Sequence, residues 1–346
     1  MTPTIGVPDV LARSRRAIEP AMAEAIERLA PEIRRLAAYH MGWTDAGGQP
    51  VRSPGGKGIR PTLAMLSAEA AWADPEVGVP GGIAVELVHN FSLIHDDIID
   101  TDTERHHRPT VWSVYGIGPA IVLGDALQIL AHQVLMERSP THGAAASAAL
   151  ADATAAMIAG QADDIAFETR RDVTVEQCTA MSAAKTGALL GSAASIGAIL
   201  AGAQPATIGA LRDYGRHLGL AFQAVDDLLG IWGDPDRTGK PAGSDLRQRK
   251  KSMPIVSALA AGGEEAEELR ALVVGPPDSG PLPAMTPEEI ERATYLVEAC
   301  GGREWTAVRA KANLDAALGA LERVRLSAIP HRDLADMAVY VVEREA

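Results

Sequence analysis

The sequence predicts an all-α fold, a single large helical bundle over residues 1–346. Three observations predict it. Apolar residues recur at steps of three and four along most of the chain. No convincing stretch shows the period of two that a half-buried strand needs. Glycine and proline collect in the gaps between the helical runs.

The first apolar stripe is Ile18, Met22, Ile26, Leu29, Ile33 and Leu36, with Pro31 expected to break or kink it. Further helices are predicted over 62–73, 82–100, 119–137, 144–170, 175–203, 206–233, 253–261, 287–299, 303–325 and 331–344. Gly-Pro clusters lie at 53–56, 74–82 and 275–283. The last marks a surface loop near 273–286. It is short and helical pattern resumes beyond it, so it does not divide the chain. From Thr186 to Leu211 no residue is charged, which is long enough to span a bilayer of about 30 Å. Ala, Gly and Ser dominate there, whereas Leu, Ile, Phe and Val drive insertion. The stretch reads as a central helix buried on all sides, with no membrane span.

Hydrophobic residues make up 47% of the chain, enough for a large core, and the net charge is −13. That charge opposes a nucleic-acid partner, which demands a basic face, and opposes attraction to anionic membranes. The two cysteines, Cys178 and Cys300, show no pairing motif, which fits a reducing cytoplasm. The N-terminus lacks the basic and apolar regions of a signal peptide.

Two acidic clusters stand out. The first is His95-Asp96-Asp97-Ile98-Ile99-Asp100, followed by Arg105. On a helix Asp96 and Asp100 share a face, one turn apart. Like charges at that spacing destabilise a helix, and its C-terminal end disfavours anions. Both local rules are broken together, as happens at functional sites. Oxygen-only ligands suit Mg²⁺, which keeps waters and accepts phosphate oxygens. The competing reading is a solvated acidic turn, which Asp102 and Glu104 would extend. A lone His-Asp pair is too weak to indicate a metal-dependent phosphohydrolase.

In the second cluster Gln223, Asp227, Gly230 and Asp234 fall on one helix face, and Asp226 is offset by about 100°. The run around them is apolar, so two aspartates there would be buried at a cost of several kcal/mol each unless paired or metal-bound. The following segment, 236–252, holds six basic residues against two acids. It suits a cationic cover over phosphate, or a solvated loop balancing nearby acid. The polyanion these clusters suggest is a diphosphate.

These residues, read together, resemble the trans-isoprenyl diphosphate synthases of the polyprenyl synthase family. Asp96-Asp97-Ile98-Ile99-Asp100 is similar to that family's first aspartate-rich motif, and Phe222-Gln223-Ala224-Val225-Asp226-Asp227 to the start of the second. Gly55-Gly56-Lys57-Gly58-Ile59-Arg60-Pro61, Gly160-Gln161 with Asp164, Lys185-Thr186-Gly187, and Gly239-Lys240-Pro241 with Asp245 and Lys250 also match, in order.

The resemblance implies an isoprenoid-synthase bundle with a central active-site cavity, a homodimer, and chemistry that uses three Mg²⁺ ions. It implies Asp96, Asp100 and Asp226 as metal ligands with Asp97 and Asp227 close by. Arg105, Lys185 and Lys240 would hold an allylic diphosphate. Lys57, Arg60 and His89 would hold isopentenyl diphosphate. Thr186 and Gln223 would face the reacting carbons, and Lys250 would join the substrate-binding set. Two departures are visible. His106 stands where the family usually has a second Arg, and it would be cationic only below the imidazole pKa of about 6.5. Gly230 stands where the second motif commonly has Asp.

A class I terpene cyclase on the same fold is the main alternative. Lys57, Arg60 and His89, needed for a second substrate, oppose it, as does an aromatic content of 4%, since cyclases line their pockets with rings that stabilise cations. A non-catalytic partner subunit is opposed by Asp96, Asp100, Asp226, Lys185 and Lys240. A di-iron bundle would need Glu-x-x-His pairs, which are lacking. Phe91, five residues before Asp96, beside the small Ser92, would block a growing tail about a turn and a half down the helix. By resemblance that points to a C20 product, with C15 next.

Overall fold

The computed structural model describes residues 6–51, 56, 58–105, 107–234, 242–276 and 283–343. Secondary structure is helical almost throughout these. In chain order the elements are α1 (Val7–Ile26), α2 (Pro31–His40), α3 (Ile59–Ala70), α4 (Val79–Ile99), β1 (Glu104–Arg105), β2 (Arg108–Pro109), α5 (Val111–Tyr115), α6 (Ile117–Arg138), α7 (Gly143–Thr169), α8 (Val175–Ser182), α9 (Ala188–Leu200), α10 (Pro205–Trp232), α11 (Ser244–Arg247), α12 (Met253–Ala260), α13 (Glu264–Val273), α14 (Pro287–Ala299), α15 (Gly302–Leu321) and α16 (Ala328–Glu343). The two-residue strands pair antiparallel, with Arg105 opposite Arg108.

The chain forms two compact units. One comprises Met1–Thr154, Leu189–Asp213 and Ala320–Met337, and the other Ala155–Ala188, Tyr214–Gly319 and Ala338–Ala346. In the first, α4 lies beside α3 and α6. The predicted stripe Ile18, Met22, Ile26 is the buried face of α1. Pro31 does not kink a continuing helix. It opens α2 at its first turn, where a missing N–H costs nothing. The uncharged run is not one buried helix: α9 takes its centre, with every residue from Leu189 to Leu200 buried, and a turn with Gly202 and Gln204 exposed separates it from α10, which opens at Pro205. Four helical runs, Pro75–Ile99, Ile117–Arg138, Gly143–Thr169 and Val175–Leu200, are long and apolar enough to cross a membrane by length and composition alone. The most apolar stretch of the last is 72% buried.

In the second unit α12 packs on α8, α13 and α14. Its core includes Leu246, Ile255, Leu269, Leu296 and Val297. Helix α13 was not predicted. Glu264, Glu265 and Glu267 crowd its first turn, where they suit the helix dipole but obscure the buried stripe Ala266, Leu269 and Val273. The run predicted as one helix over 175–203 is interrupted. Between α8 and α9, residues Ala183–Gly187 form a π-helical turn. The expected surface loop near 273–286 lies partly outside the described residues, as 277–282 are not among them.

Candidate functional site

In the first unit the acidic cluster ends α4. Asp100 caps the helix in αR geometry, its N–H donating to Asp96 O at 2.8 Å, so the predicted one-turn spacing holds. Thr101 follows at φ 56° and turns the chain away. The turn is pinned at Asp102 O, which accepts from Thr110 Oγ1 at 2.9 Å and Trp112 Nε1 at 2.8 Å. The aspartates then divide. Asp97 is 2% exposed and accepts from Arg105 Nε at 2.7 Å. Burial raises its pKa, against the lowering by Arg105. Asp96 is partly buried and Asp100 exposed. Arg105 therefore braces Asp97 through Nε, from a strand that the sequence did not show.

The residues expected to hold isopentenyl diphosphate lie mainly on α3 and α4. Arg60 is in the first turn of α3, and its buried Nε has no hydrogen-bond partner. Burial depresses its pKa, opposed by the charge of Glu86. Burial likewise raises the Glu86 pKa, opposed by Arg60 and by Asn90. Asn90 Nδ2 donates to Glu86 O at 2.7 Å and reaches Glu86 Oε1 at 3.4 Å, while Asn90 Oδ1 lies 2.9 Å from His40 Nε2. His40, Asn90 and Glu86 thus form a polar chain that ends beside the Arg60 charge. None of the three was singled out in the sequence, since His40 and Arg60 reach Asn90 and Glu86 from other helices. His89 is partly buried on α4, and its carbonyl accepts from Ser92 Oγ at 2.8 Å. Phe91 is 7% exposed and packs edge-on against the His95 ring at 4.9 Å. Lys57, His106 and Lys240 lie outside the described residues.

The second unit holds the other carboxylates. Here too the aspartates divide, and the expectation that both are buried is corrected. Asp227 is 3% exposed, whereas Asp226 is exposed. Adjacent residues diverge by about 100°, and the packed side of α10 takes Asp227 while Asp226 falls outside it. Asp227 Oδ1 accepts from Gln223 Nε2 at 2.8 Å, and Oδ2 from the Met253 N–H at 2.9 Å. Its pKa is pushed up to about 7, chiefly by burial. Gln223 Oε1 in turn accepts from Thr186 Oγ1 at 2.8 Å. A continuous chain runs from Thr186 through Gln223 and Asp227 to the start of α12. Asp234 does not share the face of Gln223, because α10 ends at Trp232.

Lys185 and Thr186 sit on the π-helical turn, a feature common at functional sites. Lys185 Nζ bonds Asp164 Oδ2 at 2.6 Å. Gly160, one turn earlier on α7, permits this: a β-carbon there would lie 2.4 Å from Lys185 N. Lys250 is surrounded by acid. Burial lowers its pKa, but Asp245, Asp227, Asp164 and Asp226 together raise it further. Asp164 and Asp245 were visible in the motif matches, but no role for them was legible.

Among the described residues no three His, Cys, Asp or Glu side chains form a ready metal cage. Asp96, Asp100 and Asp226 nonetheless offer hard oxygen donors, which fit Mg²⁺ completed by waters and phosphate oxygens. Asp97 and Asp227 fit less well as direct ligands, since Arg105 engages one oxygen of Asp97 and Gln223 and Met253 engage both of Asp227.

Residues 43–279 match the family model for polyprenyl synthetase. Over 337 residues the chain is 44% identical to a (2E,6E)-farnesyl diphosphate synthase of Mycobacterium tuberculosis, covering 97% of this chain and 93% of the relative. A geranylgeranyl diphosphate synthase of the same organism is 41% identical over the same spans. Among solved structures, a polyprenyl synthetase from Streptomyces coelicolor A3(2) superposes with TM-score 0.92 at 50% identity, covering 97% of this chain and 99% of that one. A geranylgeranyl pyrophosphate synthase from Corynebacterium glutamicum, complexed with isoprenyl diphosphate and magnesium, superposes with TM-score 0.75 at 28% identity, covering 98% and 97%.

Proposed function

Because this chain belongs to the polyprenyl synthetase family, we propose that it is a divalent-metal-dependent trans-prenyltransferase. It condenses an allylic diphosphate with isopentenyl diphosphate to a short-chain polyprenyl diphosphate. The carrying observation is the repeated design of the aspartate pairs. In each, one carboxylate is buried and braced, Asp97 by Arg105 and Asp227 by Gln223 and Met253. The other, Asp96 or Asp226, is left more open. Bracing holds the helix ends rigid while the open carboxylates meet a charged ligand.

Asp96, Asp100 and Asp226 would hold magnesium, three ions by family resemblance, with Asp97 and Asp227 supporting them. Bound magnesium supplies charge neutralisation to the diphosphate leaving group. Lys185 and Lys240, with Arg105, bind that diphosphate and orient it for loss. The allylic C–O bond breaks and its electron pair leaves with diphosphate. The double bond of isopentenyl diphosphate then forms the new C–C bond and leaves a cation, which loses a proton to the released diphosphate as the product's new double bond forms. Lys57, Arg60, His89 and His106 bind isopentenyl diphosphate, and Lys250 fixes the carboxylates around it. The Thr186 hydroxyl and the Gln223 amide line the reacting carbons. No side-chain nucleophile is required.

The product is C20 or C15. A short-chain product is supported by the buried Phe91 ring beside Ser92, and by the names of both the 44% and 41% identical relatives. A homodimer is supported by α6, where Ile121, Val122, Ile129 and Met136 are 42–59% exposed, an apolar stripe that a second copy would cover. A cytoplasmic location is supported by two free cysteines. Incubation with Mg²⁺, labelled isopentenyl diphosphate and each allylic diphosphate in turn tests the reaction. Label in a longer diphosphate is expected. A hydrocarbon formed without isopentenyl diphosphate would overturn it in favour of cyclisation.

A further inference from the structure

Two adjacent lysines in the second unit have opposite surroundings. Lys250 is held by carboxylates. Lys251 is 8% exposed, and among the described residues its ammonium has no carboxylate in ion-pair contact. Its Nζ donates to Arg249 O at 3.1 Å. Burial and the charges of Arg249 and Arg171 hold its pKa below the ordinary lysine value, with only Glu168 acting the other way. A buried cation among cations is costly unless an anion visits it.

Lys251 lines a cleft of about 300 Å³. Arg171 and Arg270 line it as well, and Val256, Leu259 and Val274, each at most 9% exposed, form its apolar floor. Two acids also border it. Asp172 is engaged by Arg170 at 3.0 Å, and Glu176 lies in the first turn of α8, bonded to its own backbone N–H and to Thr174. Arg171 donates to Gly275 O, and Arg270 to Leu259 O at 3.0 Å. Those bonds fix both guanidinium groups at the cleft; Arg270 is also paired with Glu267 at 3.5 Å, so Lys251 and Arg171 supply the charge left for a ligand.

We propose that this cleft is a second binding site, taking an amphipathic oxyanion whose phosphate meets Lys251 and Arg171 and whose apolar tail lies along Val256, Leu259 and Val274. A prenyl phosphate and a straight-chain lipid phosphate share that chemistry. The site does not rest on the prenyltransferase reading, because its ligand needs neither the aspartates nor a metal.

Titration calorimetry of the full chain in EDTA tests it, using farnesyl monophosphate, dodecyl phosphate and inorganic phosphate as probes. Farnesyl monophosphate is expected to bind, and Lys251→Met and Arg171→Ala each to weaken it at least 10-fold with thermal unfolding unchanged. Tighter binding of the farnesyl than of the dodecyl probe identifies a prenyl site, and equal binding a general lipid-phosphate site. Either supports the proposal. Three results overturn it: no binding in EDTA, binding indifferent to both variants, or inorganic phosphate binding as tightly as the tailed probes. Should Lys251→Met fail to fold, Arg171→Ala, at a partly exposed position, decides alone.

Discussion

Gly230 lies directly against Asp245: a β-carbon at 230 would stand 2.5 Å from the Asp245 carboxyl carbon and from its Oδ1. Asp245 is 9% exposed and is the foremost carboxylate offsetting the burial of Lys250. Ser244 Oγ donates to Gly230 O at 3.2 Å and Gly243 N to Ile231 O at 3.1 Å, which fastens α11 to α10. The loop thus brings a carboxylate to the position where the helix lacks one. Gly230→Ala is expected to lower unfolding free energy by about 1–3 kcal/mol through overpacking, although alanine is favoured by ~1 kcal/mol in an open helix. Denaturant unfolding measures this, and a stabilised variant would show that Asp245 moves aside freely.

The chain from Thr186 through Gln223 to Asp227 makes Gln223 a positioning group. Gln223→Leu leaves a buried carboxylate oxygen of Asp227 without its donor, a loss of about 1–3 kcal/mol. The same variant should depress kcat more than it raises KM for isopentenyl diphosphate. Steady-state kinetics beside thermal unfolding separate the two effects. A variant with normal kcat and reduced stability would confine Gln223 to a structural part.

Glu86 gives stability a pH dependence of known sign. Its folded pKa is raised above the unfolded value, chiefly by burial and despite Arg60 and Asn90. Its contribution is complete below the unfolded carboxyl pKa and is lost as pH rises through the folded pKa. Relative to the wild-type chain, Glu86→Gln should therefore become progressively more favourable as pH rises. Unfolding free energies of both proteins at pH 5 and pH 8 test this, and an unchanged or reversed difference contradicts it.

Phe91 is expected to limit product length. Phe91→Ala removes a buried ring that packs on His95, with an expected loss of about 3–5 kcal/mol in stability and a shift of products to longer chains. Chromatography of dephosphorylated products reads the shift. Products of unchanged length would exclude this ring as the stop.

Helices α4, α6, α7 and α10 were legible because each is a long, mainly apolar run between Gly and Pro breaks, and most boundaries fall within three residues of those predicted. The aspartates, Lys185 and Gln223 were legible because carboxylates and cations in apolar runs are conspicuous. Their braces were not. Asp164 and Asn90 acquire meaning only when Lys185 and His40 arrive from other helices. The division of Asp226 from Asp227 was likewise hidden, because burial depends on what packs against α10. The turn at Ala183–Gly187 left no trace, since widening a helix by one residue changes neither composition nor apparent period.

That wide turn has a genetic consequence. A π-helical turn holds one residue more than an uninterrupted α-helix would use to cover the same stretch. Removing a single codon within 183–187 could let α8 and α9 join as one regular helix while turning Lys185 or Thr186 by about 100°, away from Asp164 or Gln223. Loss of activity with retention of fold lies one small deletion away at this point, whereas at most other helical positions a deletion would shear the core.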